Sequence, residues 1–458
     1  MCGLSSPKLV NPRTLAVALL LIVALGVRIG FDEANSYRPI NDAGSYLKLA
    51  NEIVHTGTYS SSPNEPAAGG TRGPSAYFPP GYPYFLAAAD LLDGKRGIKT
   101  AASSARLAQS VLGAAVVGMV GLVALEAFGG VVALIAMGLA AIYPVLIEMS
   151  GTLSSENLLL FFELAAVWAA FRARRAPPGR PFHGWVALTG LLTGLATLTH
   201  ENGLVVLLPL LAAVWLLRPR WSWRALAAPA LLLGVSALTI LPWTIRNAVV
   251  LHSFIPVSDE TGITLVGTYN AASAAARPIP YKWRLYYGIP AEATRAHQSR
   301  HLSEPDLGGR LLSDAFSYIG DHPFSPFVVA YHNTRRLLEL HGSYGWRKGA
   351  EAIGLDSGIA QVGVICFWVL AVLALLGAFT QAARAAPRWL WGAPLLLALS
   401  VVLVNVETPR FRAPVDPFLI LLAAVAIASA AGRLRAASGP RAAYAGTERS
   451  ADGHSAPL

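Results

Sequence analysis

Charged residues are scarce in this chain of 458 residues: Asp, Glu, Lys and Arg make up only 14% of it, while hydrophobic residues make up 54%. A soluble protein of this length needs more charge on its surface, so a soluble fold is excluded. Instead, apolar runs of roughly 17–25 residues recur along the chain, which is the length that crosses a membrane as a helix. The sequence therefore predicts an all-α, multi-span integral membrane protein.

Cysteine is equally scarce. Cys2 precedes the first apolar run and Cys366 lies inside a late one, so neither a disulfide scaffold nor a cysteine-based metal site is expected. The histidines and acidic residues show no HExxH or comparable spacing, and the chain has no GxxxxGK[ST] nucleotide-binding loop. We therefore expect no cofactor and no dedicated metal site, although a divalent cation that accompanies a substrate stays open.

The basic residues are distributed between the apolar runs. We predict about ten transmembrane helices, over residues 14–30, 106–126, 129–147, 154–172, 185–199, 203–217, 224–244, 358–381, 388–406 and 413–431. Alternate loops carry Lys8, Arg13, Arg172, Arg174, Arg175, Arg180, Arg218, Arg220, Arg224, Arg384, Arg388, Arg433, Arg435, Arg441 and Arg449. The outer turns 148–153 and 199–202 carry no Lys or Arg. By the positive-inside rule both termini are cytoplasmic, and the net charge of +10 marks topology and not a nucleic-acid partner.

This topology predicts three parts. Residues 1–13 form a cytoplasmic N-terminus, residues 14–431 the transmembrane domain, and residues 432–458 a disordered cytoplasmic tail. The first apolar run has no small-residue cleavage site after it, so it is expected to stay as an anchor. Two long segments, 31–105 and 245–357, lie outside and carry interfacial helices. Chemistry at this face needs a donor that has already crossed the membrane, since nucleotide-activated donors are cytoplasmic.

Asp42 stands at the start of one such interfacial helix, in NDAGSYLKLANEI. Asp before a helix is commonly an N-cap that accepts backbone N–H bonds. A carboxylate held near headgroup depth can equally act as a general base towards a hydroxyl acceptor. Asp32 and Glu33, which lie nearer the first span, are competing candidates for that role.

Two further acidic positions open or follow predicted spans on the outer side. Glu156 either caps the fourth span together with the preceding serines or lines a polar cavity. Glu163 lies about two turns deeper, where an ionisable group is costly and should face the bundle interior. In the turn THEN, His200 and Glu201 form either a simple hairpin or part of the lining of the same outer cavity.

Three arginines lie on the outer side, where the positive-inside rule disfavours them. Arg246 is at the outer end of the seventh span, and Arg410 and Arg412 stand in the outer turn before the last span. They either extend to anionic headgroups or bind a lipid phosphate, for which the guanidinium fork is suited. Because Pro409 and Pro414 bracket the pair in a stiff turn, we favour phosphate binding.

Seven motifs, in this order and spacing, resemble the GT-C membrane glycosyltransferases. They are NDAGSYLKLANEI, FPPGYPYFLA, ARLAQSVLGA, YPVLIEMSGTLSSENLLLFF, LPWTIRNAVV, FIPVSDETG and RFRAPVDPF. That superfamily includes dolichyl-phosphate-mannose protein mannosyltransferases, aminoarabinose transferases of lipid A, and related lipopolysaccharide sugar transferases. The resemblance covers most of the chain and implies a multi-span GT-C helical bundle.

The resemblance also implies a reaction. The donor would be a sugar on a polyprenyl phosphate, and the acceptor a glycan, lipid or protein at the external face of a bacterial plasma membrane. Asp42 would be the catalytic base, and Arg410, with Arg246 or Arg412, would stabilise the departing phosphate while the anomeric carbon inverts. Glu156, His200 and Glu201 complete the expected substrate-binding set. Two departures stand out: Ala43 occupies the place of a second acid found in many relatives, and His200 that of an arginine.

Other classes make different demands on the sequence. A transporter or flippase of lipid-linked saccharides predicts broken spans with charge inside the membrane and a repeat between two halves, and we find no such repeat. An oligosaccharide polymerase or ligase is chemically closer, but it needs no Asp after the first span. The predicted activity is therefore glycosyl transfer, of a hexose or a pentose.

Overall fold

The structure is a computed structural model that describes residues 11–60, 73–93, 98–215, 223–298 and 301–438. These residues contain helices and no strand, which confirms the predicted all-α class. The α-helices are α1 Pro12–Ala34, α2 Asp42–Thr56, α3 Gly81–Asp93, α4 Ile98–Phe128, α5 Gly130–Ile142, α6 Pro144–Gly151, α7 Glu156–Arg175, α8 Arg180–Thr199, α9 Leu207–Trp215, α10 Ala227–Leu251, α11 Thr261–Thr268, α12 Ala271–Ala274, α13 Ala293–Gln298, α14 Glu304–Asp321, α15 Ser325–Leu337, α16 Ser343–Ala352, α17 Ser357–Ala378, α18 Gln381–Ala385, α19 Arg388–Val402 and α20 Asp416–Ser438. Short 3₁₀ helices cover Glu201–Val206, Trp223–Leu226, Tyr286–Gly288, Pro290–Glu292 and Arg410–Arg412.

Five helices in the described residues are long and apolar enough to cross a membrane. They are Pro12–Ala34, Ala102–Phe128, Ala227–Leu251, Ser357–Ala378 and Asp416–Leu434, and a sixth span results if α5 and α6 are taken together. The remaining predicted spans coincide with α7, α8, α9 and α19, which are shorter or less apolar. The multi-span class is thus confirmed, whereas the number of about ten spans stays a prediction.

The predicted span 129–147 is not one straight helix. It breaks at Tyr143 into α5 and α6, which meet at 54°. Pro144 begins α6, and proline cannot donate a backbone N–H to continue the preceding helix. The guanidinium of the buried Arg28 donates to the carbonyls of Ala140 (3.4 Å) and Ala141 (3.3 Å), which the break leaves without a helical partner. Arg28 therefore ties α1 to the bend.

The predicted span 203–217 also differs from the structure. It begins as the 3₁₀ helix Glu201–Val206 and continues as α9, which the described residues follow to Trp215. The glycine at 203 allows this entry, because a Cβ there would run into the backbone of Ala196 at the end of α8. The hairpin through THEN is consequently tight, and it places His200 and Glu201 between the end of α8 and the 3₁₀ helix Glu201–Val206.

The two segments that the sequence predicts to be external form a layer over the helix bundle. Helices α2 and α3 pack against each other, and α3 contacts α4 and α8. From the second segment, α11 packs on α14, α15 on α19 and α16 on α17. Tyr46, Phe78 and Tyr82 join in the buried core of this layer. Residues 1–10 and 439–458, which include Cys2 and most of the predicted cytoplasmic tail, lie outside the described residues.

Candidate active site

Asp42 is the first residue of α2, and its N-cap is Asn41. The cap interpretation of Asp42 is therefore wrong. Asn41 adopts a φ of 50°, a left-handed conformation that Asn tolerates better than most residues, and its amide donates to the Ala352 carbonyl at 2.8 Å. This sharp turn anchors the start of α2 to the end of α16. The Asp42 carboxylate therefore does not cap α2.

Arg410 contacts two carboxylates through two edges of its guanidinium. Its Nη1 donates to Oδ2 of Asp42 at 2.5 Å, and its Nε donates to Oε1 of Glu156. The side chains of Arg410 and Glu156 are 10% and 1% exposed, whereas that of Asp42 is 40% exposed. Asp42 is thus the member of this cluster that a substrate can reach, while Glu156 holds the arginine from behind.

Glu156 owes its position to the start of α7. The N-cap Ser155 makes no side-chain cap bond, and its hydroxyl lies 3.4 Å from the phenol oxygen of Tyr46 on α2. The second carboxylate oxygen of Glu156 is buried without a partner. Buried carboxylates need a partner, and Arg410 supplies it for the other oxygen of Glu156. The predicted serine cap of this helix is not formed.

A cavity of about 360 Å³ opens in front of Asp42 and Arg410. His200 and Glu201 line it, as do two acidic residues that the sequence reasoning did not single out, Glu260 and Glu407. We call it the acidic cavity, since the described lining residues include four carboxyl groups and a single arginine. Aromatic rings of Tyr46, Tyr77, Phe78, Trp283 and Phe411 complete much of the wall. Rings and acceptor oxygens in a concave site suit a polyhydroxyl ligand.

The environment of the acidic cavity shifts the pKa values of several of its residues. Burial raises the pKa of Glu201 above its usual value, although the hydroxyl of Ser258 donates to this carboxyl and opposes the shift. Burial, reinforced by the charge of Glu201, holds the pKa of Glu260 well above its usual range. Burial lowers the pKa of His200, while the Glu156 charge opposes that shift. His200 is accordingly a neutral hydrogen-bonding group.

Arg246 and Arg412 do not line the acidic cavity. Arg246 lines a different cavity and donates to the carbonyls of Ser75 (2.7 Å) and Tyr59 (2.9 Å). Arg412 is 2% exposed and pairs with Glu339 (2.8 Å) and Asp416 (3.2 Å). The three arginines therefore do not form one clamp. A 3₁₀ turn has three residues per turn, so Arg410 and Arg412 leave it in different directions.

Asp32 and Glu33 are also absent from the lining of the acidic cavity. Asp32 pairs with Arg106 at 3.0 Å and accepts a hydrogen bond from Ser110 at 2.8 Å, and Glu33 is exposed. Glu163 is fully buried with neither oxygen partnered, facing the bundle interior as expected. Within the described part of the chain, no group of three His, Cys, Asp or Glu residues has metal-binding geometry.

The sequence contains signals that point to Glu260 and Glu407, the two acidic residues of the cavity that were not predicted. Glu260 lies inside the motif FIPVSDETG, and Glu407 stands three residues before Arg410. Both belong to polar clusters at the outer end of an apolar run. Neither motif shows which of its polar residues turns inward, because that depends on how α11 and the turn before α20 pack.

The chain matches the family model described as dolichyl-phosphate-mannose-protein mannosyltransferase over residues 78–245. A search of curated protein sequences finds no significant match. Among solved structures, the apo oligosaccharyltransferase of Archaeoglobus fulgidus aligns with a TM-score of 0.57 and 14% identity, over 94% of this chain and 52% of that chain. The oligosaccharyltransferase AglB of the same archaeon, in complex with an inhibitory peptide and a dolichol-phosphate, aligns with a TM-score of 0.55 and 16% identity, over 94% of this chain and 52% of that chain.

This chain thus spans about half the length of the archaeal oligosaccharyltransferase, and at such low identity the alignment shows the fold alone. The fold is that of a multi-span, all-helical membrane protein. Together with the family-model match, it confirms the resemblance to the GT-C membrane glycosyltransferases.

Proposed function

We propose that the chain is an integral-membrane glycosyltransferase that transfers a sugar from a polyprenyl-phosphate donor to an acceptor at the external face of the membrane. The observation that carries the proposal is the contact between the accessible Asp42 carboxylate and Arg410 at the wall of the acidic cavity. A base beside a cation is what a displacement at a phosphate-bearing anomeric carbon requires. The dolichol-phosphate bound to AglB supports a lipid-linked donor.

In this reaction Asp42 takes the proton of the acceptor hydroxyl as its oxygen bonds to the anomeric carbon. The bond between that carbon and the phosphate oxygen breaks on the opposite side, so the configuration inverts. Protonation removes the charge of Asp42, and Arg410 then turns its freed Nη1 donor to the departing phosphate. Glu156 keeps the guanidinium in place throughout, because its own contact is through Nε.

The acidic residues of the cavity have a binding role in this scheme. Glu201 and Glu260 accept hydrogen bonds from sugar hydroxyls, and the neutral imidazole of His200 adds a further polar contact. Arg412 touches none of the reacting groups and acts as a positioning residue for the turn that carries Arg410. The predicted partnership of Arg410 with Arg246 or Arg412 at the phosphate is therefore not part of the proposal.

The test uses the full chain reconstituted in liposomes with a panel of radiolabelled undecaprenyl-phosphate hexoses and pentoses. Release of undecaprenyl phosphate and transfer of label are measured for the wild type and for Asp42→Asn. We expect the variant to lose roughly 10²–10⁴-fold in rate, the usual contribution of a general base. The matched control is Glu33→Gln. Glu33 is an exposed acid at the C-terminal end of α1, nine residues before Asp42, and its substitution should keep full activity.

Full turnover by Asp42→Asn would refute the proposed base. Movement of the labelled lipid between leaflets without release of the sugar would identify a flippase instead.

A further inference from the structure

A second cavity lies outside the catalytic centre, between α3, α7, α8 and α10. Its volume is about 1000 Å³, and its wall is mostly apolar, with Phe85, Leu158, Phe162, Leu195, Leu198 and Val250 among the lining residues. We call it the apolar cavity. This volume is at the upper end of the range for small-molecule sites, which favours a long apolar ligand over a compact one.

A thin wall separates the two cavities. Phe78 and Pro79 line the acidic cavity, and the next residues, Pro80 and Gly81, line the apolar cavity. The phenol of Tyr59 donates to the carbonyls of Phe78 (3.0 Å) and Pro79 (3.3 Å), which holds this segment in place. A donor whose sugar lies against Asp42 is therefore on the other side of this wall from the apolar cavity.

Among the described residues that line the apolar cavity, Arg246 is the one cationic side chain. Its guanidinium lies over the rings of Trp243 (4.7 Å) and Tyr59 (5.6 Å), and it donates to two backbone carbonyls and to the Asn247 side chain (3.0 Å). No carboxylate of the described residues lies within ion-pair distance of it. This cation is held rigidly and keeps its net positive charge for a ligand.

The two cavities differ in charge. Carboxyl groups dominate the acidic cavity, whereas the described part of the apolar cavity's lining carries Arg246 and no acidic residue. The apolar cavity also borders the side of α10 that faces the membrane, where Leu238, Leu241, Ile245 and Val249 are exposed. An anion with an apolar chain can thus enter it from the outer leaflet, with charge complementarity at its head and apolar contact along its chain.

We propose that the apolar cavity binds an anionic phospholipid of the outer leaflet, with its phosphate on Arg246 and its acyl chain against α7 and α8. This lipid is distinct from the glycosyl donor. The site does not depend on the proposed transferase activity, since it stands on the geometry and charge of the cavity alone.

Photolabelling tests the site directly. Full-length protein in phosphatidylcholine nanodiscs is exposed to phosphatidylglycerol that carries a diazirine in its acyl chain, and labelled peptides are mapped by mass spectrometry. We expect labels on α7 and α8 around Phe162, Leu195 and Leu198. Unlabelled phosphatidylglycerol should compete, whereas added phosphatidylcholine and undecaprenyl phosphate should not.

Matched variants distinguish binding of the lipid headgroup from binding of the acyl chain. Arg246→Gln should lower the labelling at least about tenfold, as expected when charge-assisted hydrogen bonds are lost, while Arg246→Lys keeps most of it. Leu195→Trp should fill the cavity and reduce labelling. Leu191→Trp, one turn away on the exposed side of α8, should not. Gel filtration and thermal unfolding establish that each variant is folded.

Two results would overturn the proposal. Equal labelling by a phosphatidylcholine probe, or unchanged labelling in folded Arg246→Gln, would show that no anionic headgroup is recognised. Displacement of the probe by undecaprenyl phosphate would show that the cavity belongs to the isoprenyl chain of a donor or product. Because the measurement is of binding, a failed transfer assay does not affect it.

Discussion

Arg410 donates to Asp42 at 2.5 Å, although 368 positions separate them in the chain. The contact joins the start of α2 to the turn before α20. It sits at the wall of a cavity whose other ionisable groups are largely acidic. A single arginine thus carries the positive charge of the proposed centre, and both of its carboxylate partners come from other helices.

The fork geometry of Arg410 leads to the first prediction. Lysine at this position keeps the charge but cannot contact Asp42 and Glu156 through two fixed edges. We expect Arg410→Lys to lower kcat by about tenfold to a hundredfold, since one charge-assisted hydrogen bond is lost or misplaced. The measurement is the rate of undecaprenyl-phosphate release at saturating donor. The matched control is Arg310→Lys, exposed on α14, which should leave kcat unchanged. A wild-type kcat in Arg410→Lys would contradict the proposed role of the Arg410 guanidinium.

The second prediction concerns the buried cluster around Arg412. Its partners Glu339 and Asp416 come from the external layer and from the start of α20, and its guanidinium lies 3.7 Å from the ring centre of Phe367. Glu339→Gln replaces a charge-assisted hydrogen bond with a neutral one and leaves Asp416 as the remaining carboxylate partner of Arg412, so it should destabilise the fold by roughly 1–3 kcal/mol. Thermal unfolding in detergent measures the loss.

The same variant also tests the positioning role of Arg412. Glu339→Gln should lower kcat more than it raises KM, because the cluster holds the turn that carries Arg410 and touches no substrate. The control is Glu351→Gln, which breaks the exposed pair with Lys348 and should change neither stability nor rate. A change in KM alone would argue for direct substrate contact by Glu339.

The third prediction is a pH dependence of stability at Asp259. Burial, reinforced by the charges of Glu304 and Glu201, raises the pKa of this carboxyl to about 7. The folded state therefore holds a proton that the unfolded state loses near pH 4, and stability falls as pH rises from there through 7. Asp259→Asn removes the penalty, so it should be more stable than wild type by roughly 1–3 kcal/mol at pH 8.

At pH 4 the same substitution should leave stability close to that of the wild type, since the carboxyl is then protonated in the folded state. Asp321→Asn, at the exposed end of α14, is the control and should show no such difference between the two pH values. Apparent Tm at a fixed scan rate is the readout. An equal gain from Asp259→Asn at both pH values would contradict the assignment.

The fourth prediction is the orientation in the membrane. In a Cys2→Ser, Cys366→Ser background, a cysteine replacing Asp321 should react with a membrane-impermeant maleimide on intact cells. A cysteine replacing Pro178, exposed between α7 and α8, should react only after permeabilisation. The reverse pattern would place the acidic cavity on the cytoplasmic side of the membrane. The sugar donor would then not need to have crossed the membrane before the reaction.

The helical, multi-span class was predictable because hydropathy over a window of membrane length is a local property. The break inside the predicted span 129–147 was not predicted, although Pro144 stands at that point of the sequence. A proline in a span either kinks the helix or ends it, and the outcome depends on which groups satisfy the freed carbonyls. Here the buried Arg28 satisfies them, from a helix more than a hundred residues earlier.

Of the candidate site residues, the structure brings Asp42, Glu156, His200, Glu201 and Arg410 to one cavity or its wall. Arg246 and Arg412 are elsewhere, although they met the same sequence criterion of an arginine on the outer side. Glu260 and Glu407 were missed for the converse reason. Residue type is readable along the chain, whereas the direction of a side chain follows from helix packing.

The sequence by itself determined that this protein belongs in a membrane. It also determined the order of its apolar helices and the presence of acids and arginines at their predicted outer ends. Each of these properties depends on composition within a few turns of chain. Only the tertiary structure decided which of them meet. Arg410 and Arg412 stand two residues apart in one 3₁₀ turn, and that turn sends one to Asp42 and Glu156 and the other to Glu339 and Asp416. Each contact with a distant partner depends on how the helices pack, which no local pattern encodes.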